Sequence, residues 1–226
     1  MRESYQMELN ELLDRLVEMG DISNEMLDAA TRALIDHDTD LAEATRRRDA
    51  EVDRRYEEVG AGIVRVLALQ APVASDLRLV SSMLHVNIHL ERLGDYATSI
   101  AKAVLLSAEL VDDPEIAQQL QEMGAAARQC AAAAVSSYAR KDLDLARQLP
   151  EMDDPVDRLN IGIFHRLVRL AAQDEARLEW ATHMILVARQ IERYADHAVD
   201  IAEQTVFAVT GKFVELSSNA PIGSRK

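Results

Sequence analysis

The chain repeats itself. "EMG" at 18–20 returns as "EMG" at 122–124, and "DTDLA" at 38–42 returns as "DLDLA" at 142–146, both at an offset of 104. Asp49 and Asp53 recur at the same offset as Asp153 and Asp157. Further along, "ERLGDYATSIA" at 91–101 becomes "ERYADHAVDIA" at 192–202, an offset of 101, so the second copy is three residues shorter near the turn before its last helix. A period this long exceeds any solenoid unit and marks two copies of one folded unit.

Each copy reads as three helices. Leu9, Leu12, Leu16, Met19, Met26, Ala30 and Ala33 recur at steps of three and four, or multiples of them, which predicts an amphipathic helix over about 4–36. "HDTD" at 37–40 ends it and supplies caps for a second helix over about 40–69. "QAP" at 70–72 breaks the second helix and places Pro72 in the first turn of a third, about 72–110. "DDPE" at 112–115 repeats that logic with Asp113 as cap and Pro114 at the first helical position. Helices over about 115–140, 142–172 and 175–209 follow, and "SSNAPIGSRK" at the end looks frayed. The fold class is therefore all-α: two tandem three-helix bundles at 1–110 and 111–213, with a flexible tail at 214–226.

Composition agrees and narrows the function. Aromatic residues make up 4% of the 226, with five Pro and eight Gly, which favours helix over sheet. A net charge of −14 repels a phosphate backbone, and "RRRDAEVDRR" at 46–55 interleaves its arginines with acids as a solvated helix face does, so no nucleic-acid partner is expected. Cys130 stands alone in "AAARQCAAAAVSS" at 125–137, a small-residue stretch suited to close helix packing within the chain or between protomers. The start lacks a signal peptide's apolar core and no run of eighteen apolar residues occurs, so the expected compartment is the cytoplasm.

The chemistry lies in the repeated acids. Leu77, Leu84, Ile88, Glu91 and Asp95 fall on one line of the third helix, and Ile185, Glu192, Asp196 and Asp200 on the matching line of the last. If Glu91 and Asp95 face Asp49 and Asp53 on the neighbouring helix, each like-charged pair at ~5 Å costs about 3 kcal/mol at an effective dielectric of ~20. Hard oxygen ligands converging in this way attract a cation, with Mg²⁺, Mn²⁺ or iron ahead of Zn²⁺. The duplication predicts two such metal sites. The second comprises Asp153, Asp157, Glu192 and Asp196.

"QAPVASDLR" at 70–78, "HLERLGDYATSIAK" at 89–102 and "ERYADHAVDIAEQTVFAVTGK" at 192–212 resemble the paired signature segments of the PhoU family, the cytoplasmic phosphate-uptake regulators. The resemblance covers nearly the whole chain. It implies tandem three-helix bundles, metal ions held by E(D)-x-x-x-D pairs, and negative regulation of the phosphate-starvation response. It further implies the ATPase subunit of the phosphate ABC transporter and a sensor histidine kinase as partners, a homodimer, and contact with membrane complexes only through those partners. Carried over by position, the ligands are Asp49 and Asp53 with Glu91 and Asp95, and Asp153 and Asp157 with Glu192 and Asp196.

Two departures bear on the second site. Pro150 and Pro155 stand in "LPEMDDPVD" at 149–157, where family members run the helix unbroken, so Asp153 or Asp154 could instead cap a helix beginning at Pro155. Ala195 replaces the glycine found between the acids at Gly94. The first site is therefore expected to be the sounder.

His85, His89, His183 and His197 lie near the acids, and His197 follows Asp196 directly. Neighbouring helical side chains point about 100° apart, so His197 is expected at the surface or behind the ligands rather than on the same ion. Arg92 and Arg193 are expected to pair with acids. No nucleophile and base converge and no phosphate-binding glycine loop occurs, so no enzyme activity is expected. The rival is a carboxylate-bridged metal enzyme, an oxidase or phosphohydrolase. Diiron oxidases of this architecture use E-x-x-H, and neither Glu91 nor Glu192 has a histidine three places on.

Overall fold

The computed structural model describes residues 2–110 and 112–217, with side chains from residue 5 onward. Six long helices carry it: α1 (Arg2–Asp36), α2 (Thr39–Gln70), α3 (Ala74–Ser107), α4 (Pro114–Arg140), α5 (Leu143–Gln173) and α6 (Leu178–Thr210), with a 3₁₀ turn at Glu175–Arg177 before α6. No strand occurs among the described residues.

The helix starts follow from capping. Asp38 accepts from Leu41 N at 2.8 Å, and its repeat Asp142 accepts from Leu145 N at 3.0 Å, each satisfying an otherwise orphaned N–H. The residues just before them, His37 and Lys141, both take the left-handed backbone with φ of 51° and 57°. Asp113 caps α4 through Ile116 N at 3.2 Å with Pro114 in the first turn, as the sequence predicts.

Two expectations are corrected. Pro72 lies in the turn before α3, which begins at Ala74. A proline disfavours right-handed helix in the residue before it, and here Ala71 takes φ 42°. The fifth helix runs unbroken through both Pro150 and Pro155. Asp153 and Asp154 sit in its middle, so neither is a cap. Proline in a helix interior costs about 3 kcal/mol, and the burial of Ala146, Leu149, Pro150, Val156, Ile163 and Leu167 along α5 outweighs it.

α1, α2 and α3 pack together, as do α4, α5 and α6. The two sets meet through α1 against α4 and α3 against α6, so one continuous apolar core runs through both, with α2 and α5 on the outer flanks. The α1–α4 contact is reciprocal. A Cβ on Gly20 would lie 2.8 Å from Val135 Cγ2, and one on Gly124 would lie 2.7 Å from Thr31 Cγ2. Gly20 and Gly124 are the glycines of the two "EMG" repeats, and Thr31 and Val135 share their offset, so the halves meet about a pseudo-twofold axis. The alanine-rich stretch of α4 serves packing within the chain: Ala127, Cys130, Ala131 and Ala134 are all buried. Tyr194 in α6 donates to Asn24 Oδ1 in α1 at 2.9 Å, which ties the halves by a half-buried polar link.

Of the expected tail, residues 214–217 are described. Leu216 packs on the core and its N–H donates to Glu203 Oε1 at 2.8 Å, while Phe213 stacks on Phe207. The remainder of the tail, 218–226, lies outside the described residues.

Candidate metal centres

The eight acids collect at two helix interfaces. Asp49 and Asp53 of α2 face Glu91 and Asp95 of α3 closely enough for Asp49 to feel both Asp53 and Asp95, and for Glu91 to feel all three others. Gly94, between the α3 acids, permits the approach: a Cβ there would lie 3.0 Å from Val52 Cγ1 on α2. Asp49 is raised above the usual carboxylate range by burial first, and the nearby Thr98 hydroxyl acts the other way. Glu91 is raised by burial and then by Asp95, with Arg92 opposing. Arg92 reaches Asp95 at 2.9 Å and Glu91 at 3.5 Å, as expected of a local ion pair.

The second interface is the deeper of the two. Asp153 of α5 is pushed up to about 7 by burial, then by Asp157, Asp196, Glu192 and Asp154. Glu192 of α6 is likewise pushed up to about 7 by burial and by Asp196, with Arg189 opposing. Asp196 is raised by burial and by Asp157. Asp153 Oδ1 and Glu192 Oε2 are both buried without a hydrogen-bond partner, a costly condition for a carboxylate oxygen. The other Glu192 oxygen accepts from Arg189. Ala195 is fully buried, so this half accommodates a methyl group where Gly94 stands in the first.

These acids border a cleft of about 990 Å³, walled by α5, α6 and the segment from Phe213 to Ser217. The buried, unpartnered oxygens and the all-oxygen donor set fit a hard cation. In neither half do three of the acids bring ligating atoms within 4.8 Å of one another, so the acids face each other across a helix interface without the convergence the sequence suggests.

The apolar members of the line that carries Glu91 and Asp95 face solvent, and the core of α3 lies on another face. Leu77, Leu84 and Ile88 are exposed, whereas Val86, Leu90, Leu93, Ile100 and Val104 form the core face of α3. The acids thus continue the outer edge of the helix seam and are reachable from solvent.

Sequence reasoning missed the gathering of His89, His197 and Asp200. These three are the one set of histidine, cysteine or carboxylate residues, among those described, whose ligating atoms all lie within 4.8 Å of one another. His89 Nδ1 is 2.8 Å from His197 Nδ1, and Asp200 Oδ2 is 3.2 Å from His197 Nδ1 and 3.5 Å from His89 Nδ1. Tyr96 Oη lies 3.0 Å from His197 Nε2. One signal was available: Tyr96 and His197 occupy the same position after the acid of their respective repeats.

The family model described as the PhoU domain matches residues 16–104 and again 120–205. A phosphate-specific transport system accessory protein PhoU homolog of Clostridium acetobutylicum is 30% identical over 218 residues, 96% of this chain and 99% of that one. The corresponding homolog of Pseudomonas aeruginosa is 31% identical over 92% of this chain and 86% of its own. The crystal structure of PhoU from Pseudomonas aeruginosa superposes with a TM-score of 0.88 at 31% identity, covering 92% of this chain and 100% of that one. The phosphate transport system regulatory protein PhoU from Streptococcus pneumoniae superposes at 0.85 with 27% identity, over 94% of this chain and 100% of its own.

Proposed function

Since this chain belongs to the PhoU family, we propose that it is a cytoplasmic negative regulator of phosphate uptake and the phosphate-starvation response. In this reading it is a metal-loaded adaptor between the ATPase subunit of the phosphate ABC transporter and a sensor histidine kinase. The names of its relatives, accessory and regulatory proteins of phosphate transport, support a regulatory rather than catalytic role. No described helix is long and apolar enough to cross a membrane, in keeping with membrane contact only through partners.

The observation that carries the metal half of this reading is the pair of buried, unpartnered oxygens on Asp153 and Glu192 beside an open cleft. Asp153 and Asp157 with Glu192 and Asp196 would hold one centre, and Asp49 and Asp53 with Glu91 and Asp95 the other. A bound cation there supplies positive charge that offsets the repulsion between carboxylates on adjacent helices. The acids, for their part, fix the spacing of α2 against α3 and of α5 against α6, and so the outer surfaces a partner reads.

Retention of the transporter ATPase on the immobilised protein, with and without prior chelation, tests the adaptor role. Metal-dependent retention is expected. Equal retention after chelation would separate partner binding from the metal, and no retention in either state would remove the adaptor role.

A further inference from the structure

We propose that His89, His197 and Asp200 form a third metal site, of zinc type, which clamps α3 to α6 at the seam between the two bundles, with Tyr96 orienting His197. This site shares no ligand with the carboxylate centres, although Asp200 lies one turn beyond Asp196 and lines the same cleft.

Three ligand atoms already outline the face of a coordination tetrahedron. Zinc–nitrogen and zinc–oxygen bonds of about 2.0–2.2 Å set ligand–ligand edges of about 3.3–3.5 Å around a tetrahedral ion. The observed edges are 2.8, 3.2 and 3.5 Å. The shortest joins the two Nδ1 atoms, which need to open by roughly half an ångström to match. Hydrogen bonding alone serves this triangle poorly. In a neutral histidine pair only one Nδ1 needs to carry a hydrogen for the 2.8 Å contact, and that hydrogen cannot also satisfy both approaches to Asp200. A cation between the three satisfies every edge at once.

The surroundings also suit a metal. Ligation through Nδ1 places the His197 hydrogen on Nε2, where the Tyr96 oxygen stands 3.0 Å away to accept it, the outer-shell partner a metal-bound imidazole ordinarily has. Two imidazoles and one carboxylate favour Zn²⁺ and its neighbours over Mg²⁺. His89 and His197 are largely shielded, with side chains 18% and 22% exposed, while Tyr96, His197 and Asp200 line the cleft, so a fourth ligand, water or a small anion, can enter from that side. His89 lies two residues before Glu91 and His197 immediately after Asp196, so an ion here couples the two carboxylate centres mechanically.

Titration of the full chain with Co²⁺, followed by visible absorption, tests the site. One equivalent is expected to give the intense bands of four-coordinate cobalt, because an all-oxygen six-coordinate site gives only weak ones. Those bands should vanish in His89→Gln and in His197→Gln, and persist in Glu91→Gln/Asp95→Asn and in Asp153→Asn/Glu192→Gln. Tyr96→Phe should keep the bands while weakening Zn²⁺ affinity by about tenfold or more. X-ray absorption of the zinc-loaded wild type gives a reading that needs no variant, and imidazole scattering is expected. Only weak bands in the wild type, only oxygen shells at the zinc edge, or intense bands that survive His89→Gln would each overturn the proposal.

Discussion

Tyr96 and His197, equivalent residues of the two repeats, touch each other: the phenol oxygen lies 3.0 Å from Nε2, and the rings are 5.4 Å apart centre to centre. Each directly follows the last acid of its own motif, so this contact links the carboxylate cluster of one bundle to that of the other. The same reciprocity places Gly20 against Val135 and Gly124 against Thr31. Duplication built two bundles, and repeated residues near the pseudo-twofold axis are among those that join them.

Gly124→Ala is expected to destabilise the protein by about 1–3 kcal/mol, because the added methyl meets Thr31 at 2.7 Å in a packed helix crossing. Gly162→Ala, on the exposed side of α5 with nothing within 4 Å, should stabilise it by about 0.5–1 kcal/mol. Denaturant midpoints of the two variants check both signs in one experiment.

Pro155→Ala should also stabilise. It restores a backbone donor inside a helix that already runs through this position, and it removes a clash worth up to about 3 kcal/mol. A lower thermal midpoint would mean that the proline is required where α5 carries Asp153 and Asp157.

The pH dependence of the metal-free protein follows from Asp153 and Glu192, each pushed up to about 7. Unfolded carboxyls titrate near ~4, so between these values the folded chain holds more protons than the unfolded one. Stability therefore falls as pH rises from about 4 to about 7. His89, lowered to about 4, contributes the opposite slope over part of that range. The difference between wild type and Asp153→Asn/Glu192→Gln isolates the carboxylates: the variant should gain most at pH 7.5 and least at pH 4, read from urea midpoints at the two values.

The sequence carried the helices, their aspartate caps and the pairing of acids, because capping and helical periodicity are local and the duplication doubles each signal. Pro150 and Pro155 misled because the burial that outweighs them comes from α4 and α6, more than a local window can see. The depth of the second site was hidden for the same reason. Ala195 was expected to weaken the second site, yet it packs fully buried, and burial of Asp153 and Glu192 makes that half the deeper one. The meeting of His89 with His197 spans 108 residues and depends on how the bundles dock, which no periodicity encodes.

Whether the acid pairs hold metal is decided by elemental analysis of protein purified without added metal, made in parallel on the wild type and on the chain carrying Glu91→Gln, Asp95→Asn, Glu192→Gln and Asp196→Asn. Stoichiometric Mg²⁺, Mn²⁺ or iron is expected in the wild type, with its loss from the fourfold variant, which should retain at most the single ion of the histidine site. Equal metal content in the two samples, or no uptake by the wild type even after incubation with each of these ions, would contradict it and leave the acid pairs as a protein-contact surface.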